Sequence, residues 1–297
     1  GEIEGTSWLK LPGYPTIQRQ FPLNRLLNLE RLIVSGNNLA ELNPTGNIQR
    51  LSKLTSVIAS NNSNLHAENQ LYLNAPVLEY LDLSGCSMKK GMSLNNANQL
   101  RQLILEGAFD FGDANDGAID YCHFNFVYSS GKEMANFNTL SLTNTKLRFL
   151  NAGASNQKDW GNSGEVGVFN DYGYAFLNLT HLNASGNSRM TKIVLPNPSK
   201  SYGNSQKEHL RYVNISGTAL GANDGSDAAP GLDSFFNQPA FMNPEAYPVD
   251  HILEISARNV IDLRGNSVTL SIDKYNEIMS KWNGSERNII MDVDIDN

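Results

Sequence analysis

The sequence predicts an α/β solenoid, in which short repeats stack and line up their strands as one parallel sheet. The segment from Leu78 to Met88 carries apolar residues at positions one, four, six and eleven of a frame, with Ser-Gly at positions seven and eight. A small polar or sulfur-bearing side chain, Cys86, stands at position nine. The same frame begins again at Leu29 and at Leu210. A frame that recurs along a chain is typical of stacked units that bury one another's apolar sides.

Eight repeats can be placed along the chain by their first position. They begin at Leu29, Leu54, Leu78, Leu100, Phe137, Leu179, Leu210 and Arg258. The first three steps are 25, 24 and 22 residues, and the later ones are 37, 42, 31 and 48. Since ordinary repeats of this kind are about 20–29 residues long, the later ones must contain insertions. We place these near 109–135, 151–176, 189–208 and 221–251, as irregular loops rich in aromatic residues.

Each repeat is predicted to form one short strand followed by a tight turn. Positions four and six alternate with polar neighbours, which predicts a strand with one buried face. Glycine at position eight supplies the unusual backbone angle of the turn. The side chain at position nine turns inward, where Asn or Thr can bind backbone groups that the turn leaves unpaired. Positions two, three, five and seven then face outward.

These motifs resemble the leucine-rich-repeat family over about residues 24–268. The Ser-Gly-Asn turns and the segment 144–150, Asn-Thr-Lys-Leu-Arg-Phe-Leu, are most similar to repeats of bacterial surface proteins. The resemblance implies a horseshoe-like solenoid with its parallel sheet on the concave side. It also implies a location outside the cell or on its surface, including attachment to a bacterial outer membrane.

The two ends of the chain are interpreted as caps of a single domain, 1–297. Residues 1–28 are predicted to cover the first repeat, and residues 29–268 hold the repeats. Residues 269–297 are predicted to form a helix from Asp273 and then a closing strand, since apolar residues there alternate from Ile289 to Ile295.

Composition and motifs exclude several kinds of function. The net charge is −7 and the pI about 5.3, which disfavours nucleic acid as a partner because phosphate binding needs a basic surface. No apolar run is long enough to predict a membrane span. The five histidines lack zinc-ligand spacing, so we expect no metal and no cofactor. No catalytic motif is present, and pairing between Cys86 and Cys122 stays open.

The outward positions of the sheet are the predicted binding surface, because Tyr and Arg are frequent at interface hot spots. The candidate ligand-binding residues are Arg31, Tyr80, Asp82, Arg101, His181, Asn183, Arg211, Tyr212 and Asn214. We therefore predict a non-catalytic binding or adhesion module for a protein or glycan, with flanking insertion loops. A carbohydrate-active enzyme on a β-helix-like solenoid and a passive spacer of a surface protein remain alternatives.

Overall fold

The computed structural model describes about half of the chain, and all statements below concern that part. The described residues are 2–3, 26–42, 51–66, 71–89, 91–95, 97–110, 121–124, 136–151, 168–171, 179–190, 192–194, 212–219, 260–262, 269–271, 276, 288–290 and 294–296. They form eighteen short strands, numbered here in chain order, and one helical residue, Asn276. That residue lies in the predicted C-terminal helix, whose other residues lie outside the described part.

An open parallel sheet of ten strands, the first sheet, organises the chain. Its order is β1 (Glu2–Ile3), β2 (Arg31–Ile33), β3 (Ser56–Ile58), β5 (Tyr80–Asp82), β7 (Gln102–Ile104), β9 (Thr139–Ser141), β12 (His181–Asn183), β14 (Tyr212–Asn214), β15 (Val260–Asp262) and β17 (Asn288–Ile290). From β2 to β15 these are the strands predicted for the eight repeats. Position four of every repeat lies in one row, running from Leu32 through Leu81 and Val213 to Ile261. The predicted parallel sheet and its register are therefore confirmed.

The core lies directly behind this sheet. Seven strands, β2 to β14, have described side chains, and at position four their exposed fractions are only 0–3%. Position six is buried as well, from Val34 to Ile215, and it includes the small residues Ala59 and Ala184. A fully buried Leu or Val side chain contributes about 1.5–3 kcal/mol, so these two rows are a main source of stability.

Position nine carries Asn or Thr in five of the seven repeats whose turns are described, and Cys86 and Ala108 in the other two. Asn62 is fully buried, and its Nδ2 donates to the carbonyl oxygens of Val34 at 2.9 Å and Ala59 at 2.8 Å. Its Oδ1 accepts from the backbone N–H groups of Asn37 at 2.9 Å and Leu39 at 3.0 Å. The side chain thus joins two successive repeats, as the sequence predicts for position nine.

Position eight has a positive φ in all seven repeats whose turns are described. The residues are Gly36, Asn61, Gly85, Gly107, Asn144, Gly186 and Gly217, with φ between 53° and 71°. Asn replaces Gly at two of these turns because Asn tolerates the left-handed region better than other side chains. Each Asn is followed in the stack by a Gly, and a Cβ on Gly85 would lie only 2.7 Å from Oδ1 of Asn61.

A second parallel sheet corrects the expectation of one strand per repeat. Its order is β4 (Leu71–Asn74), β6 (Met92–Asn95), β8 (Tyr121–Phe124), β11 (Val168–Asp171), β10 (Phe149–Asn151) and β13 (Lys192–Val194). Strands β8, β11 and β13 lie in three of the predicted insertions, so these are not irregular throughout. The physical reason is that backbone groups beyond each turn need partners, and the neighbouring repeat offers a parallel strand.

The ends of the chain also differ from the prediction. The predicted closing strand is two strands: β17 joins the first sheet, and β18 (Asp294–Asp296) pairs with β16 (Thr269–Ser271) in a small third sheet. At the other end β1 pairs with β2. Nearly all of the predicted N-terminal cap and the whole insertion 221–251 lie outside the described residues.

Candidate binding face

The predicted binding surface corresponds to the side of the first sheet that faces away from the core, called the outer face below. It presents two rows of side chains on β2, β3, β5, β7, β9, β12 and β14. The position-three row is Arg31, Ser56, Tyr80, Gln102, Thr139, His181 and Tyr212. The position-five row is Ile33, Ile58, Asp82, Ile104, Ser141, Asn183 and Asn214. Neighbouring members of a row are about 4.8 Å apart. The concave curvature of this face stays a prediction.

The structure brings most of the predicted site residues into these two rows. Arg31, Tyr80, His181 and Tyr212 share the position-three row, and Asp82, Asn183 and Asn214 share the other. All seven are at least partly exposed. Arg101 immediately precedes β7 and is exposed, whereas Arg211 lies outside the described residues.

Three residues at positions predicted to face outward are buried, namely Ser141, Thr143 and Thr180. Ser141 is 6% exposed because its hydroxyl donates to Oε1 of Glu106 at 2.8 Å, which places the longer side chain against it. Thr180 is 8% exposed, and its hydroxyl donates to the carbonyl oxygen of Asn138 at 3.0 Å. The hydroxyls of Ser141 and Thr180 both bond to a group in the neighbouring repeat, a contact that periodicity alone does not reveal.

The first four strands of the outer face form its charged half. The charged side chains there are Glu30, Arg31, Glu79, Asp82, Arg101 and Glu106. Nε of Arg101 lies 3.3 Å from Oε2 of Glu79 in a half-exposed ion pair, which contributes little to stability because water screens it. Burial raises the pKa of Tyr80, the Asp82 and Glu106 carboxylates raise it further, and Arg31 opposes them.

Strands β9, β12 and β14 form the other half of the outer face, called the uncharged half. Their outward side chains at positions two, three, five and seven carry no Asp, Glu, Lys or Arg among the described residues. The rings of His181 and Tyr212 lie on adjacent strands, with centroids 6.2 Å apart and planes inclined by 30°. Nδ1 of His181 lies 2.8 Å from the hydroxyl oxygen of Thr180.

The polar residues of the position-five row also end their strands. Oδ1 of Asn214 accepts from the backbone N–H of Ser216 at 3.0 Å and from its hydroxyl at 2.8 Å. Asn183 binds Ser185 in the same way, at 3.3 Å and 2.9 Å.

Asp82 makes the same turn with Ser84, at 2.9 Å to the N–H and 2.6 Å to the hydroxyl. Such a turn replaces the hydrogen bonds that the strand no longer provides. The recurring Asn/Asp-x-Ser at positions five to seven signalled this role in the sequence.

Cys86, whose pairing the sequence leaves open, has a structural role. Cys86 is free and fully buried, and its Sγ donates to the carbonyl oxygen of Ala59 at 3.2 Å. Burial raises the pKa of the Cys86 thiol to about 11. Among the described residues no group of three His, Cys, Asp or Glu side chains could hold a metal ion. None of the helices in this part of the chain is long and apolar enough to cross a membrane.

Comparisons of the chain with models of protein families, with curated proteins and with solved structures gave no match.

Proposed function

We propose that this chain is a non-catalytic binding module of the leucine-rich-repeat type, which recognises a protein or a glycan through the outer face. The observation that carries the proposal is the register of the position-three row. It sets Arg31, Tyr80, His181 and Tyr212 in one row of a hydrogen-bonded sheet. Aromatic and cationic side chains on an ordered backbone favour binding, because little backbone entropy is lost when the ligand docks. Insertion loops beside the sheet would widen the contact.

The proposal includes a location outside the cell or on its surface. Adhesion modules of bacterial surface proteins present repeats of this pattern, and the Ser-Gly-Asn turns support the assignment. The binding partner is then a macromolecule or glycan of the surroundings. Nucleic acid is a poor candidate because the net charge is −7.

The test is a binding screen followed by a matched pair of variants. The chain is screened on arrays of oligosaccharides and of purified surface proteins, and each hit is measured by calorimetry. The test variant changes Tyr80, Arg101, His181 and Tyr212 to Ala. The control changes four exposed residues away from the outer face to Ala, namely Leu27, Lys53, Asn64 and Tyr72.

Only the first variant should lose affinity, while both keep the circular dichroism of the parent chain. Equal affinities for parent, test variant and control would contradict a role for the outer face.

A second candidate is a carbohydrate-active enzyme, and the second parallel sheet favours it. Repeats that contribute a strand to each of two parallel sheets are close in construction to a β-helix. In that case Asp82 and Glu106, the two carboxylates that raise the pKa of Tyr80, are the candidates for proton transfer. Incubation with acidic and neutral polysaccharides distinguishes the two candidates. Turnover by the parent chain that is absent in the Glu106→Gln variant would support an enzyme over a binding module.

A further inference from the structure

We propose that the uncharged half of the outer face is a subsite for a neutral oligosaccharide, built from His181, Asn183, Tyr212 and Asn214. This inference rests on the proposed function and names the ligand class for one part of the surface. The hydrogen bonds of the two asparagines fix the direction of their amide groups.

Each amide binds the fold through its oxygen atom. Oδ1 of Asn183 and of Asn214 is held by the N–H and hydroxyl of the Ser two residues on. None of the residues whose side chains are described accepts a hydrogen bond from either Nδ2. Because Oδ1 is anchored, the NH₂ group of each side chain is fixed as a donor on the partly exposed face. The two donors belong to paired positions of β12 and β14, about 4.8 Å apart.

An aromatic surface lies beside these donors in the other row. Tyr212 pairs with His181 in the position-three row, and their rings are 6.2 Å apart and inclined by 30°. His181 is exposed and Tyr212 partly exposed. Rings of this kind offer a flat apolar surface with a polar edge, which suits the C–H face of a sugar ring. The donors beside them suit its hydroxyl oxygens.

The charge distribution among the described residues favours an uncharged ligand for this half. Six charged side chains stand on the first four strands, and none among the described outward residues of β9, β12 and β14. Among the described outward residues of β9, β12 and β14 a charged ligand would find no counter-charge, whereas hydroxyl groups need only neutral donors and acceptors.

The test follows from Asp82, whose side chain makes the same turn but carries a second oxygen in place of the amide nitrogen of the asparagines. The changes Asn183→Asp and Asn214→Asp should keep the turn, because Asp82 binds Ser84 by the same two contacts. Each change removes the donating NH₂ and puts an acceptor in its place. The control is Asp82→Asn, which adds an amide in the charged half.

Binding is measured by calorimetry with cello-, manno- and xylo-oligosaccharides as probes. We expect at least one probe to bind the parent chain. One hydrogen bond corresponds to an affinity change of about fivefold, and two to about thirtyfold. The single variants should therefore weaken binding by about fivefold and the double variant by about thirtyfold, while Asp82→Asn leaves it unchanged.

The outcomes separate this inference from the proposed function. If no neutral probe binds, or if the double variant binds as the parent does, the subsite is refuted. A protein hit that weakens only in the fourfold alanine variant would then still support the outer face as a binding surface. If neither the double variant nor the fourfold variant affects any hit, both proposals fail.

Discussion

Removing the amide of Asn62 should destabilise the chain more than any exposed substitution in the same repeat. In the folded chain this side chain serves four backbone groups: the carbonyl oxygens of Val34 and Ala59, and the N–H groups of Asn37 and Leu39. The Asn62→Ala variant leaves all four without that partner inside or beside the core. The fully buried position of Asn62 keeps water from replacing the lost amide.

The magnitude follows from the number of groups left unpaired. An unsatisfied buried donor or acceptor costs about 1–3 kcal/mol. Three of the four groups are left unpaired, because the carbonyl oxygen of Ala59 still accepts from Sγ of Cys86. At the low end for each group, because Asn37 is partly exposed, the loss is about 3 kcal/mol. The Asn62→Cys variant should lose less. Its thiol can reach the carbonyl of the preceding repeat, as Sγ of Cys86 reaches that of Ala59 at 3.2 Å.

The assay is equilibrium unfolding in urea, followed by tryptophan fluorescence and circular dichroism under reducing conditions. The free energy of unfolding should rank parent, Asn62→Cys and Asn62→Ala in falling order. The control is Asn64→Ala at an exposed position two residues on, with an expected change of at most about 0.5 kcal/mol. A loss below about 1 kcal/mol for Asn62→Ala, or one equal to that of the control, would refute the bridging role.

Three further outcomes are expected. The Cys86 thiol, fully buried with its pKa raised to about 11, should resist iodoacetamide in the native chain and react once urea unfolds it; mass spectrometry showing equal rates in both states would contradict this. Burial lowers the pKa of His66 below 6.5 although Glu41 opposes it, and Nε2 accepts from the N–H of Leu42. The unfolded chain therefore binds more protons: the contribution of the neutral ring is complete above pH 6.5 and is lost as the pH falls through the folded-state value. Unfolding curves between pH 7 and 5 should show this loss of stability, and the His66→Gln variant should show a smaller loss. An identical pH dependence of stability in the variant would contradict this role of His66. Changing Gly36 to Ala should cost about 1–2 kcal/mol for its φ of 66°, and Gly85→Ala should cost more because its Cβ would also displace an amide oxygen 2.7 Å away; equal losses in thermal unfolding would argue against the contact.

The first sheet could be predicted because its information is local and repeated. Leu32, Leu81 and Val213 each stand at position four of a frame closed by Gly at position eight. Since each repeat begins its strand at the same phase, the register between distant repeats follows from matching the frames. The same reasoning placed Asn62 correctly as an inward residue that binds the turn.

The second sheet was missed for two different reasons. The segments 71–74 and 92–95, Leu-Tyr-Leu-Asn and Met-Ser-Leu-Asn, share an alternation that does predict a strand. The eight repeat frames, which begin at the strands of the first sheet, do not include these two segments. By contrast, β11 pairs with β8 and β10 through contacts across long insertions, and no local pattern specifies such a pairing.

The candidate site could be predicted only as two outward rows. That Asp82 and Asn214 accept from a Ser two residues later depends on side-chain geometry at the strand end. That Ser141 is covered by Glu106 depends on the neighbouring repeat. The recurring Asn/Asp-x-Ser segments indicate the first kind of bond, whereas the spacing of the repeats does not specify the second.

The position of β11 has a geometric consequence for the whole stack. From the repeat of β7 to that of β12 the first sheet advances by two strand spacings, about 10 Å. The second sheet, from β8 through β11 and β10 to β13, advances by three, about 14 Å. The side of the stack formed by the second sheet is thus longer here than the side formed by the first sheet. We therefore expect the stack to bend toward the first sheet in this region, which would place the outward side chains of Thr139 and His181 on the inner side of the bend.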